Sequence, residues 1–232
     1  MTVARVQFGL PQVIRLLFVL VALSLWFGTQ MLIGQRAFNG AGINDSIHGW
    51  LAPVHTMLHD HPQIADALLI VSSLGIDMFG LFLLLSAIFG ATIRPFLGLV
   101  VLFSLRQLCQ ALTALPPPDG MIWRDPGVPS LLVTYGVAND LFFSGHTAIA
   151  VYGAIELHRR MGWHWLSVVG SLVAVFEAGV VLALGAHYTM DVFTGAVTAG
   201  LVSIFAAKLA PLCDDKLTHL GRSISRQPTA PS

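Results

Sequence analysis

Charge is scarce in this sequence. Only 10% of its 232 residues are Asp, Glu, Lys or Arg, against about 25% in ordinary soluble domains. A water-facing globule cannot be built from that inventory. The basic and acidic residues balance to a formal net charge of zero and form no basic run, which excludes a nucleic-acid partner. Cysteine is nearly absent. Cys109 and Cys213 lie far apart and make no metal or redox motif, so both read as packing residues. Cys213, just past the last apolar run, is the one placed for palmitoylation. Internal repeats are missing, and the polar tail after Cys213 is the one biased segment.

What is abundant is apolar surface. Hydrophobic residues make up 55% of the chain, and the mean hydropathy is +0.76. The class is an integral membrane protein, all-α, because lipid leaves the backbone of a crossing segment few partners but its own. Spanning takes roughly 17–25 mainly apolar residues. Six segments qualify, at about 14–34, 64–90, 94–115, 143–160, 164–186 and 188–209. The fourth is marginal, being short and opening at a polar motif. Pro116, Pro117 and Pro118 stop the third. The first run is long enough to span and no A-x-A site follows it, so it reads as a retained helix. One domain is expected over 1–212, its motif-bearing core at 94–209, with a polar cytoplasmic tail over 213–232.

Orientation follows from the basic residues. With the N-terminus cytoplasmic, Arg5, Arg15, Arg94, Arg159, Arg160, Lys208, Lys216, Arg222 and Arg226 fall inside, and Arg36, Arg106 and Arg124 outside. Both termini are therefore expected in the cytoplasm. The 116–143 loop and the Ala186–His187 junction then lie on the non-cytoplasmic face.

Two segments on that face carry chemistry. One is Asp140-x-x-x-Ser144-Gly145-His146-Thr147, opening the fourth span. The other is His187-Tyr188-Thr189-Met190-Asp191-Val192, opening the sixth. Ser144 is a good N-cap, and Gly145 lets a ligand approach the backbone. The start of that helix favours an anion, and His146 stands there to donate a proton to a leaving oxygen. His187 and Asp191 share one helix face. The carboxylate can hold one ring nitrogen while the other attacks phosphorus. Alone, a Ser-Gly-His or a His-x-x-x-Asp is usually an ordinary surface or capping feature. Together, in this order and on one face, they are far more specific.

The pair of motifs resembles the type 2 phosphatidic acid phosphatase superfamily. Phe143 stands where its phosphatases have a proline, and Val180-Val181 where they have Ser-Arg. Their Lys-rich first motif is absent. These variants are similar instead to the sphingomyelin synthase branch, with its Asp-x3-Ser-Gly-His-Thr and His-Tyr-Thr-x-Asp-Val segments. Arg106 followed by Thr113, Leu115 and Pro116 is a third match, and Ala138 stands where that branch has cysteine. The plant phosphatidylcholine:diacylglycerol cholinephosphotransferases share Phe-Phe-Ser-Gly-His and Ala-His-Tyr-Thr. The resemblance covers about 94–209.

It implies a lipid phosphotransferase that moves phosphocholine or phosphoethanolamine from a glycerophospholipid to diacylglycerol or ceramide. His187 would form a phosphohistidine, Asp191 would orient it, and His146 would shuttle the proton. Arg106 would hold the phosphate, or else serve as an interfacial anchor. Asp140 would face a cationic head group, pair with His146, or belong to the helix cap. Tyr188, Ser144 and Gly145 would contact substrate. Glu177, in the fifth span, either lines the lipid chamber or bonds a neighbouring helix, and Asp77 poses the same choice.

No metal and no cofactor are expected. His55 and His59 have a spacing that can bind zinc, but with His61 and Asp60 they read as interfacial residues of an amphipathic loop. Trp123, Trp163 and Trp165 read as interface anchors, and Gly195, Ala196, Ala199 and Gly200 as a close-packing stripe. The partners are a phospholipid donor, a lipid-alcohol acceptor and the bilayer, with the oligomeric state open. A bacterial inner membrane facing the periplasm and a Golgi-type membrane facing the lumen both fit. Two alternatives stand beside the transferase. One is a lipid phosphate phosphatase or phospholipase C-like hydrolase on the same site. The other is a non-catalytic lipid-binding or transport protein.

Overall fold

The computed structural model describes residues 9–35, 43, 45–135, 141–162 and 164–225. Among them are helices and no strand. They run α1 (Leu10–Gly34), α2 (Ser46–Asp60), α3 (Pro62–Phe89), α4 (Arg94–Leu112), α5 (Gly145–Met161), α6 (Trp165–Ala183) and α7 (Thr189–Ser225). Five, namely α1, α3, α4, α6 and α7, are long and apolar enough to cross a membrane.

Local sequence sets the boundaries. Prolines in the first turns of α3 and α4 have no N–H to leave orphaned. Ser144 and His164 cap α5 and α6 with their side chains. α4 ends at Leu112, before the three prolines, with the Thr113 N–H still bonded to the Cys109 carbonyl. The chain then runs extended into the loop that roofs the site.

Two features differ from the sequence reading. The first loop holds a helix, α2, whose N-cap is Asp45. Its apolar positions are too few to span, so a window tuned to spans passes over it. α5, where a fourth span is expected, has 17 residues and is not among the five. The reason is its position. α5 packs against α3, α4, α6 and α7 together, so it meets protein rather than lipid. It can therefore carry small and polar residues such as Ala148, Ala150, Gly153 and Glu156, all buried. The outer helices show the opposite pattern. Leu25 and Leu32 on α1, Leu172 and Val175 on α6, and Phe205 on α7 are exposed, an apolar surface that suits lipid.

α7 continues without a break through 213–225. Its 37 residues, at about 1.5 Å each, exceed the ~30 Å hydrocarbon thickness. Asp214 on this extension accepts from the Ile93 N–H at 2.8 Å and pairs with Arg15 at 3.7 Å. The far end of the bundle is thereby tied to α1 and to the α3–α4 turn. Cys109 and Cys213 are free and pack at the edge of the main core.

Candidate active site

The two motif segments become two helix starts. Ser144 accepts from the Thr147 N–H at 3.3 Å and from its hydroxyl at 3.1 Å, closing the first turn of α5. Asp191 reaches back to accept the Tyr188 N–H at 2.9 Å, half of a capping box at the start of α7. The Ser144 N–H in turn donates to the Asp191 carbonyl at 3.1 Å. One turn along α7, a Cβ on Gly195 would lie 2.7 Å from the Ser144 carbonyl oxygen. Only glycine lets the two helices approach this closely.

The start of α5, α4 and the segment before α7 border a cavity lined by His146, His187, Arg106, Gly145 and Gln30. Trp26, Phe27, Phe103 and Trp123 supply aromatic walls. Arg106 is 6% exposed. Its Nε donates to the Phe143 carbonyl at 2.8 Å and its Nη1 to Gln30 Oε1 at 3.2 Å. The guanidinium lies against Gly145, where a Cβ would meet Nε at 3.3 Å. Glycine is thus what admits both the arginine and a ligand beside it.

His187 Nδ1 stands 3.6 Å from Asp191 Oδ2, which points its Nε2 away from the carboxylate. The separation is long for a hydrogen bond, as is common in sites without substrate. His146 meets the Trp123 ring edge-on, centroids 5.1 Å apart. His146 Nε2, His187 Nδ1 and Asp191 Oδ1 are all buried without a hydrogen bond. Each such atom costs about 1–3 kcal/mol. His146 Nε2 belongs to a residue that lines the cavity, where a polar ligand would relieve it, while His187 Nδ1 faces Asp191.

α2 closes this arrangement from outside, and sequence reasoning passed over it. Asp45 caps α2 by accepting the Ile47 N–H at 2.9 Å. It also accepts the Thr189 N–H at 2.6 Å and the Thr189 hydroxyl at 2.8 Å. One carboxylate therefore starts two helices. His48 bonds the His187 carbonyl through Nε2 at 2.9 Å and stacks on Tyr188. Burial pushes the Asp45 carboxyl up. The bonds from Thr189 and Ile47 outweigh that and hold it below the ordinary 3.8. Asn44-Asp45-Ser46 before an apolar-periodic run signals the start of α2. Nothing in the sequence signals the reach to Thr189.

The other sequence candidates fall in different places. The Ser144 hydroxyl is engaged in capping. Tyr188 is buried under α2 and does not line the cavity, and neither does Glu177. Glu177 is fully buried between α3 and α6, accepting the Ser72 hydroxyl at 2.6 Å, with Gly75 making room for its other oxygen. Asp77 accepts Ser130, Leu131 and Leu132 donors and fastens the loop whose Leu132–Thr134 stretch roofs the cavity. Asp140 and Trp163 lie outside the described residues.

Trp123, read from the sequence as an interface anchor, also forms part of the cavity. Its N–H donates to the Thr134 carbonyl at 3.1 Å, and its ring faces the cavity. Trp165 is 65% exposed, as an anchor would be. His55 joins the Ala183 and Gly120 carbonyls, tying α2 to the loop and to α6. In the small-residue stripe, Gly195 and Ala199 pack closely while Gly200 faces open space.

Comparison with known proteins places this geometry. Over 172 residues, 74% of its length, the chain is 23% identical to phosphatidylcholine:diacylglycerol cholinephosphotransferase 1 of Arabidopsis thaliana. It spans 55% of that relative's length, about half. The AtPDCT1/2 family model matches residues 48–208, from His48 on α2 through both histidine segments and most of α7. That is well over half of the sequence, and the chain belongs to the AtPDCT1/2 family.

Proposed function

We propose that this protein is a phospholipid head-group transferase that works through a phosphohistidine. The observation that carries the reading is the single cavity holding both imidazoles and the Arg106 guanidinium, with Asp191 behind His187.

His187 Nε2 attacks the donor phosphorus as the bond from phosphorus to the glycerol oxygen breaks. His146 Nε2 gives its proton to that oxygen, and diacylglycerol leaves. The head group stays on His187 as a phosphoramidate monoester. The acceptor's hydroxyl then gives its proton to His146, its oxygen attacks phosphorus, and the N–P bond breaks. Asp191 stabilises the charge that develops on the His187 ring. Arg106, held by Phe143 and Gln30, sets a fixed guanidinium charge beside the phosphate oxygens.

The relative's name supports phosphatidylcholine as donor and diacylglycerol as acceptor. Phosphatidylethanolamine and ceramide are the variants to test beside them. In this reading 1–212 is the membrane catalytic domain and α5 is the sixth crossing. Both termini are cytoplasmic, and the cavity faces the non-cytoplasmic leaflet. Basic residues at the ends remote from the cavity support that orientation.

The test follows the label. Purified protein receives head-group-labelled phosphatidylcholine with and without diacylglycerol or ceramide. Label moving to the acceptor supports the reading. Release of phosphate from phosphatidic acid without transfer replaces it with the phosphatase. No turnover of any donor leaves a binding or transport protein.

A further inference from the structure

We propose a second phosphate-binding site, for the head group of an anionic phospholipid, at the membrane face opposite the histidine cavity. It is a pocket of about 280 Å³ bounded by the end of α3, the turn into α4 and the end of α5. Arg94, Arg160, Ser86 and Thr92 line it, with Phe82 and Pro95 as apolar wall. From His146 to Arg160 along α5, at about 1.5 Å per residue, is roughly 21 Å. The two sites are therefore separate. The turn joins two membrane-crossing helices, α3 and α4, so the pocket lies where phospholipid phosphates lie.

The charges there do not cancel. Glu156 is the one acid lining the pocket, 2% exposed. It accepts Arg94 Nε at 3.0 Å and Arg159 Nη1 at 2.7 Å. Arg159 also holds the Ser203 carbonyl and hydroxyl, so its terminal nitrogens serve to join α5 to α7. Arg160 donates to Ser86 Oγ at 3.0 Å through one nitrogen. Two guanidinium groups thus meet one carboxylate, and the third, that of Arg160, meets a hydroxyl. The remaining N–H groups of Arg94 and Arg160 carry no hydrogen bond among the described residues.

Behind the turn, the Arg15–Asp214 pair is neutral in sum, and Arg15 holds the Gly90 carbonyl. The α4 N-terminus adds the positive end of its dipole. Its Ile93 and Arg94 N–H groups are already taken by Asp214 and Thr92. The side chains are therefore what grips the anion.

A phosphate suits this pair, because two guanidinium edges present planar forks to tetrahedral oxygens. Phe82 and Pro95 offer the apolar contact that a lipid's glycerol and upper acyl chains need and a free anion does not. Basic pockets between membrane helices bind lipid head groups in this manner.

The experiment reads binding, so it stands or falls apart from the transferase reading. Full-length protein in neutral detergent is titrated with phosphatidylglycerol, phosphatidylcholine or glycerol 3-phosphate, and bound lipid is counted by native mass spectrometry. Arg160→Gln is expected to weaken phosphatidylglycerol binding by about tenfold, the loss of one charge-assisted bond, and to leave the binding of phosphatidylcholine, the proposed ligand of the histidine cavity, unchanged. The glutamine keeps a donor for Ser86, so folding is spared. Arg124→Gln, which removes a charge near α2 and the cavity face, is expected to change nothing. Phosphatidylglycerol binding to Arg160→Gln as tightly as to the unaltered protein overturns the site. Displacement of phosphatidylglycerol by equimolar glycerol 3-phosphate overturns its assignment to lipid.

Discussion

The backbone N–H of Ser144 donates to the carbonyl of Asp191, so the helix that carries His146 and the helix that follows His187 start from one shared hydrogen bond. Gly195 permits it, since a methyl group there would meet the Ser144 oxygen at 2.7 Å. Backbone cannot yield as a flexible side chain does. Gly195→Ala should therefore cost about 1–3 kcal/mol of stability. By shifting His146 against His187 it should slow head-group transfer by about 100-fold. Thermal unfolding and initial transfer rates measure the two effects. A variant with unchanged rate would show that the spacing of the helix starts is not rate-determining.

Asp191 combines two roles that substitution can separate. Asparagine keeps an oxygen for the Tyr188 N–H but loses the charge beside His187 Nδ1. Asp191→Asn should fold with nearly normal stability and lose at least about 100-fold in kcat. Asp191→Ala should lose the cap as well, about 1 kcal/mol. Equal transfer rates for the aspartate and asparagine forms would remove Asp191 from the chemistry and leave it a cap.

How much of this was legible beforehand depends on distance along the chain. The helix starts at Ser144 and near Asp191 were readable, because capping is local, whereas His187 lies before α7 and meets Asp191 from outside the helix rather than along one of its faces. The five longest apolar helices were readable from hydropathy. α5 was marginal because a helix ringed by other helices has no need of lipid-compatible residues. The contact of Trp123 with His146 was not readable, because an indole at a span's edge looks the same whether it meets head groups or a histidine. Asp45 was passed over entirely. Its bond to Thr189 joins residues far apart in sequence, and an acid before a short amphipathic helix predicts only its own cap.

Arg106 tests the difference between charge and shape. Its Nε and Nη1 are fixed by Phe143 and Gln30 in one plane over Gly145. Lysine brings the same charge but neither the fork nor the plane. Arg106→Lys should lose about 10- to 100-fold in kcat/KM, corresponding to roughly 1.4–2.7 kcal/mol of transition-state binding. Steady-state transfer assays across donor concentrations decide it. Near-normal kcat/KM would return Arg106 to a packing role between α1 and α4.

Asp45 carries a pH prediction whose sign is fixed by its bonds. Its carboxyl is held below 3.8 because Thr189 and Ile47 donate to the charged form, against the opposing effect of burial. A depressed folded-state value means the contribution to stability is complete above the unfolded value. It disappears as pH falls through the folded one. The double cap should therefore be intact at neutral pH and fail only in acid. Unfolding curves from about pH 7 to about pH 3 should show an acid-linked loss in the unaltered protein that Asp45→Asn lacks. Asparagine still accepts a bond at each helix start, so the variant folds and the comparison stays readable. Asp45→Ala should remove both caps at any pH, about 1–2 kcal/mol, and free α2 from α7. Since His48 then loses its hold on the His187 carbonyl, transfer should slow more than substrate binding weakens. Parallel pH curves for Asp45→Asn and the unaltered protein would mean that charge at this position does not hold α2 to the site.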